Sequence, residues 1–250
     1  MQKVDNLTVT TNSADKNSVL VIDEITHFST AELALINKWA KKNNITIIGL
    51  GDDSQSGYAS KSDIYNIDAD TTLCFRSSKL AISLRSGNTC QVRSTKDLYN
   101  LVNFSKALIN TPADQNLFNS VVSTLKTMSF RHSYKDGVLK GTLITDKFED
   151  WNKIPETITD AQGNSHQTTV GYIGVSNIEG QLSNNIVVKK FNSIQEVQGQ
   201  EFDYIIYDKK EIKIPEKFNN SAISGTLVQS LRDLYTVVSR GKEGAIVLTD

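Results

Sequence analysis

Two short apolar runs, each closed by acids and separated by a capped helix signal, constrain the fold of this chain more than any other feature. Val19-Leu20-Val21-Ile22 runs into Asp23-Glu24, and Ile45-Thr46-Ile47-Ile48-Gly49-Leu50 leads to Asp52 and Asp53. Runs of this length and character read as buried parallel strands. Between them, Ser29-Thr30-Ala31-Glu32 makes a capping box, in which serine and glutamate satisfy the free N–H groups of a helix start. Leu33, Ile36, Trp39 and Ala40 then recur at helical spacing, and Lys41 and Lys42 suit the negative end of the helix dipole. Strand, helix and parallel strand together bring both acid-bearing ends to one sheet edge, where ligands of open α/β sheets bind.

Beyond Gly57 the text is polar and irregular to Asp70, and Leu73-Cys74-Phe75 and Leu80 to Ser86 follow. A domain boundary is expected between Asp70 and Gly87, giving a first lobe of residues 1–78 and a second of 79–250. Ser94 is the expected cap of a helix carrying Leu98, Leu101, Val102 and Leu108, and Thr111-Pro112-Ala113-Asp114 reads as the start of another that buries Leu117, Phe118, Val121, Leu125 and Met128. Ser129 to Thr145 reads as a hairpin turning at Asp136-Gly137, and Asp146 to Thr169 as a loop with little regular structure. Strands are expected at 170–175, 185–188, 202–207 and 245–248, with a helix over 227–238. The fold class is therefore α/β, with mainly parallel sheets in two lobes and a hairpin insertion in the second.

Net charge is -1 and the pI near 6.3, so contact with nucleic acid would rest on a local basic patch or on stacking. Cys74 and Cys90 are too far apart for a zinc site or a disulfide framework and fit a reducing compartment. The first eighteen residues lack a secretory apolar core, and no stretch has the length of a membrane span, so a cytoplasmic protein without a membrane partner is expected.

Asp23-Glu24 at a strand end suits nucleotide hydrolysis, because an aspartate can hold magnesium while the neighbouring glutamate deprotonates a water. Gly51-Asp52-Asp53-Ser54-Gln55 adds a glutamine whose amide can address a terminal phosphate. Arginines suit such chemistry too, since their planar fork matches phosphoryl oxygens. His132 and His166 have no acid or cysteine at ligand spacing, so neither zinc nor histidine catalysis is indicated, and His27, three residues after Glu24, reads as a hydrogen-bonding residue at a helix entry.

Taken in order, these segments resemble the motifs of superfamily 1 helicases. Val21-Ile22-Asp23-Glu24 resembles the Walker B motif, and Gly51 to Gln55 the Gly-Asp-x-x-Gln motif. Leu84-Arg85-Ser86 is similar to the motif that opens the second motor domain. Gln198-Gly199-Gln200-Glu201-Phe202-Asp203 and Tyr235-Thr236-Val237-Val238-Ser239-Arg240 resemble the last two. The resemblance implies two RecA-like lobes that use magnesium and ATP to move on single-stranded DNA, or RNA. It implies that Asp23 binds magnesium, Glu24 is the general base, Gln55 senses the terminal phosphate, and Arg85 and Arg240 reach toward it across one cleft. Glu201 would face the sugar or the cleft wall. Ser193, Gln195, Gln198 and Gly199 would lie along the nucleic-acid backbone, and Tyr58 would stack a base.

One motif of that family is missing. None of the fourteen glycines opens a Gly-x-x-x-x-Gly-Lys-Ser/Thr phosphate loop, and only 22 residues stand before Asp23. The first lobe is thus expected to be truncated, needing the second lobe, a partner chain or an N-terminal remainder of the motor to cover its sheet. Alone, the chain should hydrolyse ATP negligibly. The competing reading is a nonenzymatic, helicase-derived module that binds nucleic acid or protein.

Overall fold

A computed structural model describes residues 18–52, 54–55, 57, 89–111, 114–127, 132–146, 148–160, 163–174, 178, 180–208 and 221–248. The chain divides into two compact units, one of residues 1–53 and 57–78, the other of residues 54–56 and 79–250. Arg85, Tyr58, Cys74 and Met128 lie outside the described residues.

In the first unit, β1 (Val19–Ile22) and β2 (Thr46–Gly49) pair in parallel, with Val19 beside Thr46 and Ile22 beside Gly49. Helix α1 (Thr30–Lys42) joins them, and its capping box is complete: Glu32 N–H donates to Ser29 Oγ while the Ser29 N–H donates to Glu32 Oε2. A cap of this kind stabilises a helix by about 1 kcal/mol. Leu33 and Ile36 bury one face against Ile22 and Ile25, with Leu20 and Ile47 packed alongside. Trp39, expected in the same stripe, is only half-buried. The strands are not buried on both faces: Val19, Val21 and Ile48 on the far face are 54%, 56% and 46% exposed. A single helix covers one side of a sheet, so the full apolar run leaves its alternate residues bare.

The second unit is built on a six-stranded sheet of order β3-β4-β10-β9-β7-β8. Its strands are β3 (His132–Lys135), β4 (Val138–Thr145), β7 (Thr169–Gly174), β8 (Val187–Phe191), β9 (Phe202–Asp208) and β10 (Gly241–Leu248). All neighbours run parallel except β3, which is antiparallel to β4. Helices α2 (Thr89–Ser105), α3 (Ala107–Asn110), α4 (Gln115–Thr127) and α6 (Ser221–Val238) supply Leu98, Leu101, Leu108, Phe118, Val121, Leu231 and Leu234 to a core that also takes Ile205 and Val247 from the sheet. Tyr204, Ile206 and Ile246 join a second core with Leu139, Leu143, Trp151 and Tyr172. Strand β9 is therefore buried along its whole length, as a continuous apolar run requires. Among the described residues no helix is long and apolar enough to cross a membrane.

Three expectations change. The hairpin at 129–145 is not an insertion, because β4 sits inside the sheet against β10; the turn itself is as read, with Asp136 and Gly137 at φ of 53° and 80°. Ser94 lies within α2, where its hydroxyl donates to the Cys90 carbonyl, and α4 is capped by Asp114, whose Oδ1 accepts from Leu117 N–H, while Thr111 closes α3. The segment 146–169 is not loop alone: it holds a 3-10 turn (Phe148–Lys153) and the antiparallel pair β5 (Thr157–Thr159) and β6 (Ser165–Gln167). Trp151 on that turn is fully buried.

Burial raises the pKa of Tyr204 and Tyr207 well above the ordinary tyrosine value, with Glu243 and Asp203 adding to the effect at Tyr204 and Asp233 at Tyr207. Tyr204 OH also donates to the Leu139 carbonyl at 2.7 Å. A folded-state pKa above the unfolded one gives stability that is complete below the unfolded pKa, roughly 10, and is lost as pH rises beyond it. Thermal unfolding midpoints should hold up to that pH and then fall steeply. The Tyr204→Phe/Tyr207→Phe variant should show a shallower alkaline fall, and an equally steep one would refute this origin.

Candidate functional site

The carboxylates expected to serve hydrolysis stand at the C-terminal edge of the first unit's sheet. Leu50 N–H donates to the Ile22 carbonyl and Ile25 N–H to the Leu50 carbonyl, both at 2.8 Å, so the two strand ends are tied together. Asp23 is exposed, and its Oδ1 accepts the Glu24 N–H at 3.0 Å. Glu24 has a left-handed backbone, φ 51° and ψ 47°, before a 3-10 turn over Ile25–His27. An L-residue other than asparagine or aspartate seldom adopts that conformation, and such outliers concentrate where function holds them. Gly51 packs against the same turn, since a Cβ there would lie 3.4 Å from Ile25.

The glutamine of the second motif is held in the other unit. Ser54 and Gln55 are 1% and 5% exposed. Ser54 Oγ donates to Asn103 Oδ1 at 3.2 Å and accepts from Lys106 Nζ at 3.1 Å. Gln55 Oε1 accepts from Arg240 Nη2 at 3.0 Å, joining residues 185 positions apart. Arg240 is itself 1% exposed, and its Nε donates to the Thr236 carbonyl at 3.2 Å. Its approach is fixed by the end of α6: Gln91, wholly buried, donates from Nε2 to the Val238 carbonyl at 2.7 Å and accepts from Thr142 Oγ1.

The remaining site residues cluster around β8 and β9. Ser193 precedes the short helix α5 (Ile194–Val197) without a side-chain cap bond, Gln195 is half-buried and Gln198 is buried. Gly199 has φ +75°, a conformation that glycine allows the tight return into β9. Lys189 Nζ donates to Gln200 Oε1 at 2.6 Å and lies 5.2 Å from the centre of the Phe191 ring. Glu201 forms a surface ion pair with Lys242 at 3.2 Å. Asp203 accepts from the Thr169 N–H and hydroxyl at 2.8 Å and meets His166 Nε2 at 3.0 Å, so His166 does have an acid partner that its sequence spacing hides.

The structure thus joins Gln55 to Arg240 and keeps Ser193, Gln195, Gln198 and Gly199 on one turn. No protein-family model and no curated protein matches the chain. Asp23 is a single exposed carboxylate, no group of three metal-ligating side chains gathers among the described residues, and no phosphate loop is present.

Several residues around the site escaped the sequence reading. Gln91, Asn103, Lys106 and Arg232 all hold Gln55, its neighbour Ser54 or the end of α6. Only Arg232 had a usable signal, since it lies on α6 about two helical turns before Arg240, which sits on the turn just past the helix end.

Proposed function

We propose that these 250 residues carry the Walker-B-onward part of a superfamily 1 DNA helicase or translocase, with two RecA-like lobes and a cytoplasmic place of action. The observation that carries this reading is the buried hydrogen bond from Arg240 to Gln55, which joins two of the motifs on which the resemblance rests. In this reading Glu24 acts as the base toward water, Gln55 and the arginines Arg240 and Arg85 address the terminal phosphate of ATP, and Asp23 would hold magnesium, which would supply positive charge toward the phosphates. Glu201 borders the nucleotide's sugar. Tyr58 and the turn carrying Ser193, Gln195, Gln198 and Gly199 contact single-stranded DNA, or RNA, with Lys189 beside them adding positive charge.

The phosphate cradle then has to come from an N-terminal remainder of the motor or from a partner chain. Several charge-assisted hydrogen bonds, each worth about 1.5 to 3 kcal/mol, are lost without it. Steady-state phosphate release, measured with and without single-stranded DNA, tests the reading. The 250-residue chain should turn over negligibly, and a longer chain bearing a phosphate loop ahead of it should show DNA-stimulated release. If the longer chain binds DNA but hydrolyses nothing, the nonenzymatic binding module is the better account. Robust turnover by the 250 residues alone would refute the assigned role of the loop.

A further inference from the structure

Gln55 is held at both ends by arginines of α6 and its C-terminal turn. Arg240 Nη2 takes the side-chain Oε1 at 3.0 Å, while Arg232 Nε donates to the Gln55 backbone carbonyl at 2.9 Å. A glutamine amide has three side-chain torsions between its backbone and its tip, so a bond at the tip alone leaves the amide free to follow any swing of the chain. A second bond to the carbonyl removes that freedom. Arg232 is in turn set by its own helix: its Nη1 lies 3.5 Å from Gln229 Oε1, and Gln229 Nε2 donates to Asp233 Oδ1 at 2.8 Å. The neighbouring Ser54 has a separate attachment through Asn103 and Lys106, so the dipeptide's place does not depend on Arg232 alone. What Arg232 adds is the orientation of Gln55.

We propose that Arg232 is a positioning residue, which fixes the Gln55 carbonyl so that the Gln55 amide meets Arg240. Its meaning for catalysis rests on the motor reading above, in which that amide addresses a phosphate; the positioning itself does not. Lysine is a poor substitute, because the bond uses the Nε–H in the plane of a rigid guanidinium, whereas an ammonium is a point charge on a flexible stem.

The test is nitrogen-15 NMR of the 250-residue chain without nucleotide, following the Gln55 side-chain amide pair, identified by its absence in Gln55→Leu. In Arg232→Ala and Arg232→Lys that pair should move to the positions of a free glutamine, and hydrogen exchange at the Ser54 and Gln55 backbone amides should quicken about tenfold or more. Arg232→Lys keeps the charge and the aliphatic stem, so it serves if the alanine variant fails to fold. A folded Arg232→Lys variant whose Gln55 amide pair is unmoved overturns the proposal and leaves Arg232 a packing residue. Phosphate release tests the motor reading and the amide spectrum tests this one, so either can fail while the other stands.

Discussion

In a chain completed with a phosphate loop, Glu24→Gln should slow DNA-stimulated phosphate release by about 100- to 10,000-fold, the range spanned by loss of a general base. Glutamine keeps the size and the hydrogen-bonding reach of glutamate but cannot take a proton. The backbone at this position makes a second comparison informative. Glu24 is held at φ 51°, in the left-handed region that costs most L-residues on the order of 1 kcal/mol and that asparagine tolerates. Glu24→Asn should therefore abolish turnover just as thoroughly while raising stability by about 0.5 to 1 kcal/mol. Opposite movements of rate and stability are the mark of a residue kept for its chemistry. They are read by phosphate release and urea unfolding on the same samples. If Glu24→Gln turns over like its parent, the base lies elsewhere and the Walker B assignment fails.

Trp151→Ala should have the largest effect on the second unit's stability, lowering it by about 3 to 5 kcal/mol and its unfolding midpoint by on the order of 10 °C. Trp151 is 1% exposed and meets Tyr172 nearly edge-on, with ring centres 6.1 Å apart. Tyr172 in turn donates its hydroxyl to Asp208 Oδ2 at 2.9 Å, at the C-terminal end of β9. Removing the indole empties a large volume against the sheet, and short turns of this kind refill a cavity poorly. Thermal unfolding followed by near-ultraviolet circular dichroism measures the loss. A fall of under about 1 kcal/mol would mean that the turn folds back to close the cavity.

Trp151 also marks where the sequence became hard to read. Phe-Glu-Asp-Trp-Asn-Lys has no helical or alternating period, because a six-residue 3-10 segment is too short to show one, so its aromatic residue was lost in an apparent loop. Strands β9 and β10 were legible for the opposite reason: their apolar runs are long, and the sheet buries them on both sides. The same rule overreached at β1 and β2, whose runs look just as buried but have a helix on one face only. Capping shows the split again. At Ser29 the sequence order and the bonding partners agree, while at Thr111 a proline nearby suggested a start that Asp114 provides. At the candidate site, Gln55 and Arg240 were found through resemblance, since nothing local links residues 185 apart. Gln91 had no signal at all. Its partners are a carbonyl 147 positions away and the Thr142 hydroxyl, and a lone glutamine on an amphipathic helix reads as a solvated face.

The place of β10 governs how this sheet can be made. It lies between β4 and β9, so the pairing that joins the two halves of the sheet waits for the strand that comes latest in sequence among the described residues. While residues 241–248 are still inside the ribosome, β4 with β3 and β9 with β7 are separate fragments. Each then has an open edge of unpaired amides and carbonyls facing the gap that β10 will fill. Such an edge accepts any extended peptide, including one from a neighbouring nascent chain on the same messenger. A holding chaperone is therefore most useful to this chain until residues 241–248 have emerged, and a stop before residue 241 leaves a product with a sheet split down its middle.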